Sequence, residues 1–113
     1  MANLTPVVLY DSEGNVAAPG VGTDILATDV SVGTGKNGSV LRISITPAGA
    51  SIIKLVDSGG KTHYLNGKAA CVADTAYIWD FVASSSLTYN VQLDTTDGAL
   101  SSLIIQQCWG AGV

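Results

Sequence analysis

Charged side chains are scarce in this chain of 113 residues, in which they make up 12% of the sequence. Ordinary soluble domains carry about 25%. The formal net charge is −4, and the basic residues are scattered rather than clustered: Lys36, Arg42, Lys54, Lys61 and Lys68. Because nucleic-acid binding needs clustered cations that displace phosphate counterions, this pattern argues against a nucleic-acid partner.

Long apolar segments and helical patterns are also missing. No apolar run approaches the roughly 20 residues that a membrane-spanning helix needs. The first residues, Met1 to Pro6, show no basic region followed by an apolar one, so no signal peptide is visible. We therefore expect no membrane partner and synthesis in the cytoplasm. No stretch combines helical periodicity with capping residues, so the helix content should be very low.

The residues that most often carry catalysis or bind metals are few: Cys71, Cys108 and His63. Two thiols without a matching histidine set cannot complete a tetrahedral zinc site, so we interpret the cysteines as small buried side chains of a reducing compartment. Asp57 is the acid nearest to His63 in the sequence, but no serine lies in a nucleophile motif such as Gly-x-Ser-x-Gly. We expect no catalytic residue, no metal and no cofactor.

Two loop sequences resemble ligand-binding loops but lack residues that such loops need. A phosphate-binding loop requires Ser or Thr after its lysine, and in the glycine-rich segment Gly33–Lys36 the next residue is Asn37. The acidic segment Asp94–Gly98 lacks the alternating oxygen ligands and the terminal glutamate of a calcium-binding loop. Both segments have the composition of ordinary turns, which is the interpretation we favour.

The strongest positive signal is the alternation of apolar and polar residues. In Leu87–Asp94 every second side chain is apolar, and the same holds for Leu41–Thr46. A period of two places alternate side chains on the same face of a β-sheet. We therefore expect one set of side chains to face the core: Leu41, Ile43, Ile45, Leu87, Tyr89, Val91 and Leu93.

Strand-like segments recur about every ten residues from Val40 to Gln107, separated by turns such as Ser58–Lys61. This spacing predicts an all-β fold, an antiparallel β-sandwich of jelly-roll or immunoglobulin-like type. Tyr77, Trp79 and Phe81 share one face of their strand. An exposed aromatic row would stack on sugars, whereas a buried one would belong to the core or to a subunit interface, the interpretation we favour.

Residues 1–39 differ from the rest of the chain in their glycine and proline content and weak periodicity. We interpret them as an extended N-terminal arm with a short strand or hairpin, which precedes a β-sandwich body over residues 40–113 of the same domain. The apolar islands of the arm would gain order by lying on a neighbouring surface. Together with a tryptophan beyond the last strand, they make up the candidate interface: Val7, Val8, Leu9, Tyr10, Ile25, Leu26 and Trp109.

The order of strands and turns carries a family resemblance. An apolar strand ends at a Thr-Pro-Ala break in Ile43–Ala48, and a glycine turn leads into Thr62–Gly67. An aromatic strand, Tyr77–Val82, is followed by Leu87–Val91 and the aliphatic run Leu103–Ile105. This series resembles the small tailed-phage capsid decoration proteins, also called cement proteins, that are built as β-sandwiches.

The resemblance implies a protein without an active site that forms trimers and clamps neighbouring subunits of a capsid shell. We therefore expect a structural virion protein, made in the host cytoplasm, that binds the outer surface of an icosahedral phage head and stabilises it. Its partners would be the major capsid protein and sister copies in a homotrimer. The alternative is a non-catalytic carbohydrate-binding or fibre- or tail-associated β-sandwich module.

Overall fold

The computed structural model describes residues 3–17, 20–36, 38–94 and 99–111, and of residues 3–6 and 109–111 it describes the backbone alone. Within these residues the chain forms two packed antiparallel sheets and no helix, which confirms the predicted all-β sandwich. The strands are β1 (Asn3–Asp11), β2 (Val40–Pro47), β3 (Ile53–Asp57), β4 (Thr62–Tyr64), β5 (Tyr77–Val82), β6 (Tyr89–Leu93) and β7 (Leu100–Ala111).

The larger sheet has the strand order β1-β7-β2-β5, and the smaller one has the order β4-β3-β6. Ile43 of the central strand β2 lies opposite Ile105 of β7 on one side and Trp79 of β5 on the other. In the smaller sheet Leu55 of β3 lies opposite Val91 of β6. Since residues opposite each other point to the same face, these pairs align the apolar faces of both sheets toward the space between them.

The alternation in the sequence correctly predicted the core. Leu41, Ile43 and Ile45 in the larger sheet are at most 1% exposed, and Tyr89, Val91 and Leu93 in the smaller sheet are at most 2% exposed. Leu87 lies two residues before β6 and is half-buried against the same cluster. A slip of one residue in either strand would turn all of these side chains toward solvent, so burial fixes the register.

The structure places the segment expected to be an arm within the sandwich. β1 pairs with β7 along its whole length, with a bulge at Leu9 between Val8 and Tyr10. Further along, Leu26, Val30 and Val32 belong to the buried core, with exposures of 3%, 9% and 3%. The segment therefore supplies an edge strand and part of the core of its own molecule, which corrects the expectation of a separate extended arm.

The buried amide of Asn90 is one of the contacts that hold residues without a strand pattern in the core. Asn90 is 2% exposed. Its Oδ1 accepts from the backbone N–H of Leu26 at 3.0 Å, and its Nδ2 donates to the Leu26 carbonyl at 3.0 Å and to Asp29 Oδ1 at 2.7 Å. The side-chain amide of Asn90 thus satisfies both backbone groups of Leu26, in place of the backbone hydrogen bonds that a neighbouring strand would supply. It holds the loop of residues 24–30 along β6.

Replacing Val91 with aspartate should prevent folding. The change removes about 2 kcal/mol of apolar burial and places a carboxylate in a site that offers it no partner. Small domains are stable by only about 5–15 kcal/mol, so the combined cost approaches the whole stability. Val72→Asp is the matched control, since Val72 is 63% exposed. Far-ultraviolet circular dichroism and thermal melting measure the outcome, and a cooperative melt of Val91→Asp would contradict the assignment.

Replacing Asn90 with leucine should destabilise the fold by about 3 kcal/mol, because both backbone groups of Leu26 would be left unsatisfied in a buried place. Gln92→Ala is the control: Gln92 Nε2 donates to Asp24 Oδ1 at 2.6 Å, but this bond is exposed to solvent. Its loss should cost at most about 1 kcal/mol. Urea titration gives both values, and equal losses would show that the buried amide has no special role.

Candidate interaction surface

An open groove lies beside the end of β1, between that strand and the loop that Asn90 holds. Its volume is about 420 Å³, and its lining comprises Leu9, Tyr10 and the run from Leu26 to Ser31. The bulge at Leu9 shifts the register of β1 and turns Tyr10 into line with Ile105 of β7. Bulges redirect side chains in this way at sheet edges. The groove thus brings together three of the predicted interface residues, Leu9, Tyr10 and Leu26.

Two further predicted residues, Val7 and Val8, are exposed on β1 next to the groove. Their exposures are 51% and 55%. Val8 lies opposite Gln106, on the outer face of the larger sheet, whereas Val7 lies opposite Gln107, on the inner face. Both stay exposed because β1 is an edge strand with no neighbour on its far side. This edge therefore presents apolar surface on both faces of the sheet.

The opposite edge of the larger sheet also carries apolar surface, which the sequence analysis missed. Ile78 and Val82 of β5 are 64% and 68% exposed and point to the outer face. The available signal was the composition of β5, in which every residue except Asp80 is apolar or aromatic. A strand of this kind is apolar on both faces, and only the aromatic face was considered above.

Asp80 lies between these two side chains and is neutralised by its neighbour in β2. Arg42 Nε donates to Asp80 Oδ1 at 2.8 Å, and an Arg42 terminal nitrogen donates to Oδ2 at 3.0 Å. These bonds hold the pKa of Asp80 below its usual value. Each partner is nearly half exposed, so the pair contributes little to stability. Its main effect is that the β5 edge carries no unpaired charge.

The aromatic row of β5 faces the interior, which favours the core interpretation over a sugar-stacking platform. Tyr77, Trp79 and Phe81 are half-buried and pack against the core cluster. The Tyr77 and Trp79 rings are stacked, with centroids 5.4 Å apart, and Phe81 meets Tyr89 edge-on at 5.8 Å. No strand pairs with the outer edge of β5, because β5 is the last strand of the larger sheet. Its outer half therefore remains accessible from the side.

The remaining predicted interface residues are placed differently. Ile25 is half-buried against the core, and Leu26 is 3% exposed. Leu26 therefore contacts its own chain, which corrects its assignment as a residue that a neighbour would cover, although it forms part of the groove wall. The backbone of Trp109 lies in β7 opposite Thr5, and its side chain is outside the described part of the structure.

Asp57 and His63 do meet, at the turn between β3 and β4. Asp57 Oδ2 lies 3.2 Å from His63 Nε2, while Asp57 Oδ1 accepts from the backbone N–H of Gly59 at 2.9 Å and of Lys61 at 3.1 Å. The His63 ring packs edge-on against Phe81 at 4.7 Å, so it links the smaller sheet to β5. Since the carboxylate is engaged by the hairpin turn, its role in this structure is to close the turn.

The cysteines and acidic residues form no metal site among the described residues. Cys71 is buried, Cys108 is half-buried, and both are free thiols. Burial raises the pKa of the Cys71 thiol, so it stays protonated and unreactive at neutral pH. In the part of the chain that the structure covers, no three His, Cys, Asp or Glu side chains come close enough to hold a metal ion. Asp97, considered above as part of a calcium loop, lies outside the described residues.

Comparison of the chain with protein-family models, with curated proteins and with solved structures finds no match. Across the described residues there is also no helix with the length and hydropathy of a membrane span.

The Asp57 turn gives folding a defined dependence on pH. The backbone N–H of Lys61 is the main cause that lowers the pKa of Asp57 below its ordinary value of 3.8, and His63 and Gly59 add to the effect. The unfolded chain therefore binds this proton at a higher pH than the folded chain does. The stabilisation is complete above the ordinary pKa and is lost as the pH falls through the lower pKa of the folded chain.

We expect the unfolding free energy to fall more steeply for the parent than for Asp57→Asn between about pH 5 and pH 2. Asparagine keeps an oxygen acceptor for Gly59 and Lys61 but does not titrate. Urea titrations at intervals across this range measure both slopes. Parallel slopes would mean that the proton on Asp57 is not linked to folding.

Proposed function

We propose that this protein is a structural virion protein that binds the outer surface of an icosahedral phage head as a homotrimer and stabilises the shell. It works by contact rather than by catalysis, and its partners are the major capsid protein and its own sister copies. One support for the proposal is the strand pattern described above, which resembles that of the capsid decoration proteins. The structure contributes the arrangement of its exposed apolar side chains, which supports a role in assembly.

The exposure of large apolar side chains carries the proposal. In the described part of the chain six such residues are more than half exposed: Val7, Val8, Val21, Val72, Ile78 and Val82. Single exposed apolar residues are ordinary, but grouped ones mark contact surfaces. Four of the six lie on the two free edges of the larger sheet, and the charge between Ile78 and Val82, that of Asp80, is paired with Arg42. A surface of this composition resembles the core of an interface rather than a free surface.

Val21 and Val72, the other two of the six, lie at one end of the sandwich. The backbone N–H of Gly22 donates to the carbonyl of Leu93 at the end of β6, at 3.0 Å. Ser51 lies just before β3, and its backbone exchanges hydrogen bonds of 2.7 and 3.3 Å with the backbone of Cys71. Because β6 ends where β3 begins, Val21 and Val72 border the same end. This end is the part of the molecule that we assign to the contact with the shell.

Shell stabilisation then follows from mass action. A protein that binds the assembled, expanded shell and not the dissociated subunits adds its binding free energy to the stability of the shell. A trimer attaches through three equivalent contacts, so the overall affinity greatly exceeds that of one contact. Weak apolar contacts, such as one made by Val21 and Val72, are sufficient under these conditions.

The test is sedimentation with phage heads assembled without this protein. We expect the purified chain to pellet with expanded heads in a saturable manner and to raise the temperature at which the heads dissociate. Val72→Asp should weaken binding by about tenfold or more, because it replaces apolar burial worth about 1.5 kcal/mol with a charge.

Thr62→Asp, at an exposed position of β4, serves as the control for the added charge. It should bind as the parent does. A parent chain that stays in the supernatant at saturating concentration contradicts the proposed function. Equal binding by the parent and Val72→Asp contradicts the assigned end while leaving the function in place.

A further inference from the structure

We propose that copies of this chain associate head to tail through their larger sheets, with β1 of one copy added as an antiparallel strand to β5 of the next. This inference rests on the self-association in the proposed function but not on binding to a shell. It follows from which strand edges the fold leaves open, and from what the open edges can pair with.

The smaller sheet offers little edge for pairing. β4 has only three residues, and short edge strands are poor templates. The far side of β6 is occupied by the loop of residues 24–30, through bridges from Asp24 to Gln92 and from Val30 to Tyr89. The two open edges therefore belong to the larger sheet and are formed by β1 and β5.

The edge of β5 lacks the usual devices that block strand addition. The N–H of Ala83 donates to Ser39 at 2.8 Å, and backbone bonding alternates along an antiparallel pair. Tyr77, Trp79 and Phe81 therefore bond to β2, whereas the backbone groups of Ile78, Asp80 and Val82 face outward. This edge has no proline and no bulge, and its one charge is paired with Arg42. Unprotected edges of this kind accept a further strand.

The edge of β1 is open but incomplete. Alternate residues of β7 bond to β2, so the remaining ones bond to β1, and the backbone groups of Leu4, Pro6 and Val8 face outward. Proline has no N–H, so the edge lacks its central donor. From Asn3 to Tyr10 the strand carries no charged residue. It can therefore enter another sheet without burying an unpaired charge.

Pairing between identical edges is disfavoured on both sides. Two β1 strands paired about a two-fold axis over Leu4–Val8 place Pro6 opposite Pro6, so the central pair has no donor at all. Two β5 strands paired over Ile78–Val82 place Asp80 opposite Asp80, and the pairing of each carboxylate with Arg42 reduces but does not remove the like-charge repulsion across the strand pair. A β1–β5 pair has no Asp80–Asp80 contact and lacks only the one N–H donor of a single Pro6. Pairing between β1 and β5 is therefore favoured over pairing between identical edges.

The topology also gives this mixed pair its direction. Neighbouring strands in the order β1-β7-β2-β5 are all antiparallel, so β5 runs opposite to β1. When a second copy is placed beside the first by rotation about an axis along the strands, its β1 keeps the direction of the first β1. It therefore meets β5 antiparallel. A contact between two different patches closes a three-membered ring when each copy is rotated by one third of a turn from the last, and this is the arrangement that the proposed trimer requires.

One register matches the exposed side chains on both faces. With Pro6 opposite Asp80, Val8 lies beside Ile78 on the outer face, and these residues are 55% and 64% exposed in the single chain. On the inner face Val7, which is 51% exposed, lies beside the half-buried Trp79. The groove at the end of β1 then approaches the start of β5 in the neighbouring copy. The contact covers the accessible half of the aromatic row.

A charge-pair experiment tests the contact directly. Val8→Lys and Ile78→Glu each place an unpaired charge on an exposed position, so each variant should still fold. The dissociation constant for self-association of each variant should be about tenfold or more above that of the parent. The double variant should recover association to within about threefold of the parent, because the introduced lysine of one copy would meet the introduced glutamate of the next. Sedimentation equilibrium across the micromolar range measures the mass, and thermal melts verify folding.

Thr62→Lys, at an exposed position of β4 in the smaller sheet, is the matched control and should keep the mass of the parent. A monomeric parent, single variants that associate as the parent does, or a double variant that remains dissociated would each overturn the proposal. In a pairing of β1 with β1 or of β5 with β5, the double variant would keep the defect of the paired edge and not recover. Head binding by a chain that fails this test would support the proposed binding to the shell and contradict the proposed contact between copies.

Discussion

The side-chain amide of Asn90, together with the backbone bonds on either side of it, fixes the loop of residues 24–30 against β6, and the rest of this side of the molecule depends on these contacts. An amide side chain donates and accepts at the same time, so Asn90 can bond to both backbone groups of Leu26. In a β-sheet the backbone of a neighbouring strand would make these two bonds. With the loop in place, Leu26 and Val30 enter the core, the far side of β6 is closed, and one wall of the groove is formed.

Because this loop covers the edge of β6, the open strand edges of the molecule are those of the larger sheet. β1 and β5 lie at its two sides, and each exposes apolar side chains on its outer face. A sandwich that buried all of its apolar surface would present polar, charged edges instead, as edge strands commonly do. The fold and the proposed assembly are connected here, since the strands that close the core of one chain are also those left free to contact another.

Charge is used sparingly, and two of the acidic side chains lie in ion pairs. Arg42 neutralises Asp80 on the outer face, and Asp57 is engaged by the turn it closes and by His63. The exposed Arg42–Asp80 pair contributes little to stability. The arrangement of these pairs nevertheless leaves broad uncharged areas on the larger sheet, where a charged residue would oppose the approach of another polypeptide.

The amino-acid sequence determined the strands of the body and the side chains that face the core, because a period of two and buried apolar residues are local properties of β2 and β6. It did not reveal the place of Leu26, Val30 and Val32, which have no strand pattern and depend on distant contacts such as the Asn90 amide, 64 residues from Leu26 along the chain. Nor did it show that Ile78 and Val82 lie on an open edge. Which strands become edges is decided by sheet order, and sheet order depends on contacts between residues far apart in the sequence.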